Sequence, residues 1–170
     1  MSAPSLLLLP GLLCDARLWA AQVAGLGQTA NCTVVDLTAG ENVEALARAT
    51  IAQAPPGPFA LAGLSMGGYV ALEIVRQVPA RVKGLALLDT NARPDAPEST
   101  ADRRRMMALA ETDFDRVVSA LVPRLLSDVH RLDQGMVDTV RAMARSVGKA
   151  AYRRQQHAII ARPDSRPHLE

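Results

Sequence analysis

Aromatic residues are scarce: one Trp, two Tyr and two Phe make up 3% of the 170 residues. The core must therefore be aliphatic and alanine-rich, since hydrophobic residues still reach 49%. Cysteine is nearly absent. Cys14 and Cys32 have no metal-ligand spacing, and they imply no disulfide. No apolar run is long enough to span a membrane. The opening Met1–Cys14 has the outline of a lipoprotein signal, but it lacks a positive n-region. Leu13 also stands where cleavage needs a small residue, so the run reads as a buried strand of a cytoplasmic protein. A one-sided excess of charge is missing too. Net charge is +2, with −1 over residues 1–90 and +3 over residues 91–170. Seventeen of the 19 basic residues are arginines interleaved with acids along helical segments. That is a solvated surface, not a nucleic-acid footprint. The length suits one domain with a sizeable core, and there is no internal repeat.

What is present centres on Phe59–Gly68. An apolar run ends in Gly63-Leu64-Ser65-Met66-Gly67-Gly68, and helix-compatible residues follow from Tyr69 to Val78. Strand, sharp turn and helix are the context in which Gly-x-Ser-x-Gly signals a nucleophilic serine. A projecting hydroxyl needs a tight, strained turn, so its neighbours two residues away must be small. Gly63 and Gly67 meet that need, and Gly68 lets the helix approach the strand. The Met66 N–H would point at an oxyanion formed during acyl transfer.

The flanking chain alternates strands with helices. Ser5–Leu9, Thr33–Leu37, Phe59–Leu64 and Val82–Leu88 read as strands, and Cys14–Leu26, Asn42–Ala54 and Tyr69–Val78 as helices. This order predicts an α/β fold with a parallel, doubly wound sheet. Ligands of such sheets bind beyond the carboxyl ends of the strands, where Pro10–Leu13, Ser65 and Asp89–Asn91 fall. Asp95–Pro97 reads as a linker, and Ser99-x-x-Asp102 as a capping box. Helical stripes then run from Arg103–Ala110, Phe114–Leu125, Met136–Val147 and Lys149–Ala161. Their Met and aliphatic faces read as packing, with one face free to line an apolar pocket.

On Leu8–Leu13, Trp19, Gly63–Gly68 and Arg81–Thr90, the chain resembles the α/β-hydrolase superfamily. The likeness is to small cap-bearing serine hydrolases such as enol-lactonases, proline iminopeptidase-like enzymes and esterases. In that family the loop after the first parallel strand usually reads His-Gly-x; here Pro10 takes the histidine's place. The resemblance makes Leu12 N–H the second oxyanion donor beside Met66, with Ser65 catalytic. It implies residues 1–94 as the amino-terminal part of the hydrolase core and 95–165 as a helical cap. Residues 166–170 would begin a further core segment or form a tail. The family's catalytic acid and histidine follow two later strands, so the C-terminal strands carrying them are expected to be missing from this chain.

A serine needs a base, and only His130, His157 and His168 are available. Each reads first as a surface or packing residue. Asp89 and, more weakly, Asp36 sit at strand ends as candidate acids. Arg103-Arg104-Arg105 reads as a solvated helical turn or as a grip for an anionic substrate. The expectation is a serine hydrolase acting on a small ester, lactone or related carbonyl compound. No metal or organic cofactor, nucleic acid or membrane is expected as partner. The alternative is a non-catalytic hydrolase-fold module that binds a small ligand or assembles with another chain, including a homo-oligomer formed through an open sheet edge.

Overall fold

The computed structural model describes residues 3–169. Four strands, β1 (Ser5–Leu9), β2 (Asn31–Val34), β3 (Phe59–Leu64) and β4 (Val82–Leu88), form one sheet in the order β2-β1-β3-β4. All neighbouring pairs are parallel, and Leu9 lies opposite Gly63 while Leu64 lies opposite Leu88. The ends of β1, β3 and β4 therefore meet in one place.

The period-2 geometry of a strand sorts its side chains. Leu7, Leu9, Phe59 and Leu61 face α2 (Val43–Gln53) and α3 (Met66–Gln77). Leu8 and Ala62 face Trp19, with Leu18 and Val23 packed around them. Each of the buried leucines contributes roughly 1.5–3 kcal/mol by leaving water. Helices thus cover both faces, as the doubly wound pattern requires.

Several expected boundaries shift. The predicted Cys14–Leu26 helix is a 3-10 turn, Ala16–Trp19, followed by α1, Ala20–Leu26. Asp15 is extended and its carboxylate accepts the Arg17 N–H, so regular helix cannot start at Cys14. Leu26, the last residue of α1, is exposed. The strand expected at Thr33–Leu37 begins two residues earlier, although Val35 N–H still donates to Leu8 carbonyl and extends the ladder. The Ser99–Asp102 capping box is not formed. The helix α4 spans Pro97–Thr112 with Ala96 as its uncapped start, because Pro97 already fits the first helical position.

Beyond α4, α5 (Phe114–Leu125) and α6 (Gln134–Ile160) complete the helical region, with no strand among its described residues. The two last stripes read from the sequence meet at Gly148, whose φ of 78° and ψ of 167° break α6 in two. The helices enclose a second core of Ala110, Val117, Val118, Ala144 and Tyr152, and Leu13 from the loop after β1 is inserted into it. At the other end of α6, Ala158 and Ile159 pack in the sheet core. No helix is long and apolar enough to cross a membrane among the described residues.

The edge strand β4 differs from β1 and β3. Leu85 and Leu87 are 39% and 43% exposed, and Ala86 and Leu88 on the opposite face are exposed as well.

Candidate active site

Ser65 connects β3 to α3 with φ 51° and ψ −112°, a backbone conformation that non-glycine residues rarely adopt. The glycines explain how it is tolerated. A Cβ on Gly63 would lie 2.5 Å from the Gly67 carbonyl oxygen, and one on Gly67 only 2.1 Å from the Leu9 carbonyl oxygen. A Cβ on Gly68 would lie 2.5 Å from the Thr90 side chain. So the elbow is held by three close approaches, one within itself, one to β1 and one to the end of β4. Ser65 N–H donates to the Leu88 carbonyl at 2.9 Å, and Thr90 hydroxyl donates to the Ser65 carbonyl at 2.9 Å.

Two other non-glycine residues have positive φ, Leu13 (59°) and Asp89 (43°). All three strained positions among the described residues lie just beyond strand ends around one spot. Leu13 is held there by packing in the helical core and by a hydrogen bond from its N–H to Gln155 Oε1 at 3.1 Å. Gln155 also donates to the Leu37 carbonyl at 3.2 Å, so one buried amide ties α6 to the loops after β1 and β2.

Gly11 runs beside the elbow, where a Cβ would sit 3.7 Å from Ser65 Cβ. Its neighbour Leu12 lines the same cavity as Ser65, and no described residue accepts its N–H. Met66, first residue of α3, carries one of the N–H groups a helix start leaves without an intrahelical acceptor. The cavity measures about 260 Å³. Gly11, Leu12, Leu64 and Ser65 form its floor, and α4, α5 and α6 form its walls with Met106, Leu121 and Tyr152 among others. Cys14 also lines it, but burial, reinforced by Asp15, pushes its thiol up to about 11. A thiol so far from ionisation is a poor nucleophile.

The other candidates separate. His130 is exposed and its Nδ1 lies 2.9 Å from Ser127 Oγ, His157 is exposed on α6, and His168 is exposed beside Glu73 and Arg76. None of the three lines the Ser65 cavity. Asp36 is exposed and accepts the Thr38 N–H in a turn, and Asp89 is exposed at the sheet edge outside the cavity. The arginine triplet divides: Arg104 and Arg105 are solvated, whereas Arg103 reaches the cavity wall.

Asp95, read from the sequence as part of a linker, is an anchor. Its side chain is 1% exposed and receives Arg162 Nη1 at 2.7 Å, Arg103 Nε at 3.3 Å and Thr100 hydroxyl at 2.7 Å. Arg162 in turn stacks on the Tyr69 ring at 4.2 Å and donates to the Arg93 and Ile159 carbonyls. No group of three or more metal-ligating side chains occurs among the described residues.

This geometry has close counterparts. The chain superposes on a thermophilic esterase from Thermogutta terrifontis with a TM-score of 0.86 and 28% identity, covering 99% of this chain and 67% of the esterase. An enol-lactonase from Burkholderia xenovorans LB400 gives 0.82 and 24%, covering 98% of this chain and 68% of the other. The biotin biosynthesis bifunctional protein BioHC of Cellvibrio japonicus is 32% identical over 100 residues, 55% of this chain and 20% of that protein. The chain thus spans about two thirds of the two solved relatives and matches one fifth of BioHC. The sequence model for the thioesterase domain matches residues 37–168, which include the elbow, Thr90 and the whole helical region. Sheet order, elbow and sequence match agree, and the chain belongs to the thioesterase-domain family of α/β hydrolases.

Proposed function

We propose that the protein hydrolyses a small ester, lactone or related carbonyl compound, with Ser65 as nucleophile and Leu12 and Met66 N–H as oxyanion donors. The observation that carries this reading is the strained Ser65 facing a cavity between two backbone segments whose N–H groups lack partners. Ser65 Oγ would bond to the carbonyl carbon while the C=O π electrons move to oxygen. The resulting oxyanion would be held by the two N–H groups. Collapse would expel the alcohol oxygen, which takes up a proton equivalent to the one Ser65 gave up. Water would then add to the acyl carbon, release the acid and return a proton to Ser65 Oγ. A volume of about 260 Å³ falls just below the roughly 300–1,000 Å³ of pockets for drug-sized ligands, which favours a small substrate.

The hydroxyl proton needs an acceptor, and none of the three histidines lines the cavity. The 170 residues alone are therefore expected to hydrolyse p-nitrophenyl acetate slowly, at the level that binding and an oxyanion hole supply. In triad enzymes this residue of catalysis is roughly 10³–10⁴-fold over water, and losing the nucleophile–base pair removes about 10⁶. Ser65→Ala should change the slow rate by less than about threefold. A rate equal to the buffer blank would contradict the oxyanion-hole assignment. A fast, Ser65-dependent rate would mean that His130, His157, His168 or a second subunit delivers the base.

A second reading is favoured by β4. An exposed strand with leucines on both faces and backbone groups available along its outer edge invites pairing with a second copy of the chain. Self-association should then rise with concentration in sedimentation and be lost in Leu87→Lys. A monomer at all concentrations would remove this reading.

A further inference from the structure

One wall of the Ser65 cavity carries positive charge that the hydrolytic steps do not use. Asp95 is already neutralised by Arg162, whose side chain is 6% exposed and lies 2.7 Å from Oδ1. Arg103 is thus the second guanidinium on a single carboxylate. Its Nη1 donates to the neutral Gln156 amide oxygen at 3.0 Å, and no described residue accepts from its Nη2. Gln156 in turn donates to the Tyr152 hydroxyl at 2.9 Å, so the amide is oriented with its oxygen toward Arg103. The preceding residue of α4, Asp102, also lines the cavity and faces two cations, Arg124 at 3.2 Å and Arg105 in close contact. Together Asp95 and Asp102 carry two negative charges against four arginines. Arg103, Asp102 and Arg124 all line the cavity that contains Ser65.

A guanidinium that is 25% exposed and shares its one contacting carboxylate with a second arginine is only partly compensated for the solvation it gives up. Its fork geometry matches a carboxylate bidentately. We propose that Arg103, assisted by Arg124, binds a carboxylate on the substrate, so that the preferred ester or lactone is a monoanion whose acid group lies against α4 and α5. Ser65 would then meet the carbonyl at the floor while the anion is fixed at the wall. Arg103 is in this sense a specificity-determining residue. The substrate class rests on the hydrolase reading, but the anion site can be tested by binding alone.

The test is calorimetric titration of monomethyl glutarate and of neutral dimethyl glutarate into the protein at low ionic strength. The monoanion is expected to bind at least tenfold more tightly than the diester, and about equally in wild type and Ser65→Ala. Arg103→Gln should remove most of that preference. The exposed Arg124→Gln, which leaves Asp95 and its partners intact, should reduce it severalfold and serves as the variant that folds without question of the buried pair. Equal affinity for the two probes, no saturable binding of either, or a preference unchanged in both variants would overturn the proposal. Failure of Ser65 to react with an electrophile, with the anion preference intact, would instead count against the hydrolase reading alone.

Discussion

Gly67→Ala is expected to destabilise the protein by more than about 4 kcal/mol, among the largest effects a single methyl can have. The added Cβ would lie 2.1 Å from the Leu9 carbonyl oxygen and 2.6 Å from its carbon, both backbone atoms of the central strand. Neither can move without displacing the β1 ladder, where Leu9 pairs opposite Gly63. At roughly 2–4 °C per kcal/mol for a chain of this size, the melting midpoint should fall by about 10 °C or more. Gly25→Ala is the matched control. That position lies in α1 with nothing within 4 Å of a new Cβ, so helix propensity alone should stabilise it by up to about 1 kcal/mol. Equal melting of Gly67→Ala and wild type would show that the elbow is not packed against β1 as described.

Asp95→Asn should cost about 3–5 kcal/mol, the range for removing one partner of a buried ion pair. The loss would strand Arg162, which is buried among the Tyr69 ring and two carbonyls. The pair also predicts a pH dependence. Burial alone would raise the Asp95 carboxyl, but Thr100 and Arg162, with Arg103, override it and hold it below 3.8. The folded-state value thus lies below the unfolded one. The stabilisation is fully present above about pH 4 and is lost as pH falls through the folded value. Urea denaturation from pH 6 to pH 2.5 should show wild type losing stability faster than Asp95→Asn, so that the two converge at low pH. Parallel curves would remove Asp95 from the acid response.

Much of this architecture was legible in the chain. Leu6–Leu9 and Phe59–Leu64 are apolar runs whose flanks are turns, and the parallel order followed from their alternation with helices. Gly63, Gly67 and Gly68 could be read because a sharp turn at Ser65 already demands small neighbours. Only the Gly63–Gly67 approach is local, however, and the contacts of Gly67 with Leu9 and of Gly68 with Thr90 were not visible in the spacing. The break at Gly148 falls between Met136–Val147 and Lys149–Ala161, which the sequence presents as two separate stripes. What escaped depends on partners far along the sequence. Gln155 reads as one more polar residue on a helix, yet it bonds Leu13, 142 residues away, and Leu37, 118 away. Arg162 and Asp95 are 67 residues apart and meet only because α6 ends against the start of α4. Asp95 sits among Pro94, Ala96 and Pro97, which is a linker composition, and only docking buries it. The arginine triplet shows both outcomes in one turn: helix geometry sends Arg104 and Arg105 to solvent and Arg103 to the cavity.

The most direct test of Ser65 as a nucleophile beside an oxyanion site does not need a histidine. Butylboronic acid accepts a serine oxygen at boron and becomes a tetrahedral anion, releasing the hydroxyl proton to solvent. Boron-11 NMR of the protein with excess butylboronic acid should show a tetrahedral signal that disappears in Ser65→Ala and persists when His130, His157 and His168 are each replaced by Gln. A tetrahedral signal that survives Ser65→Ala, or none at any concentration, would contradict the assignment of Ser65.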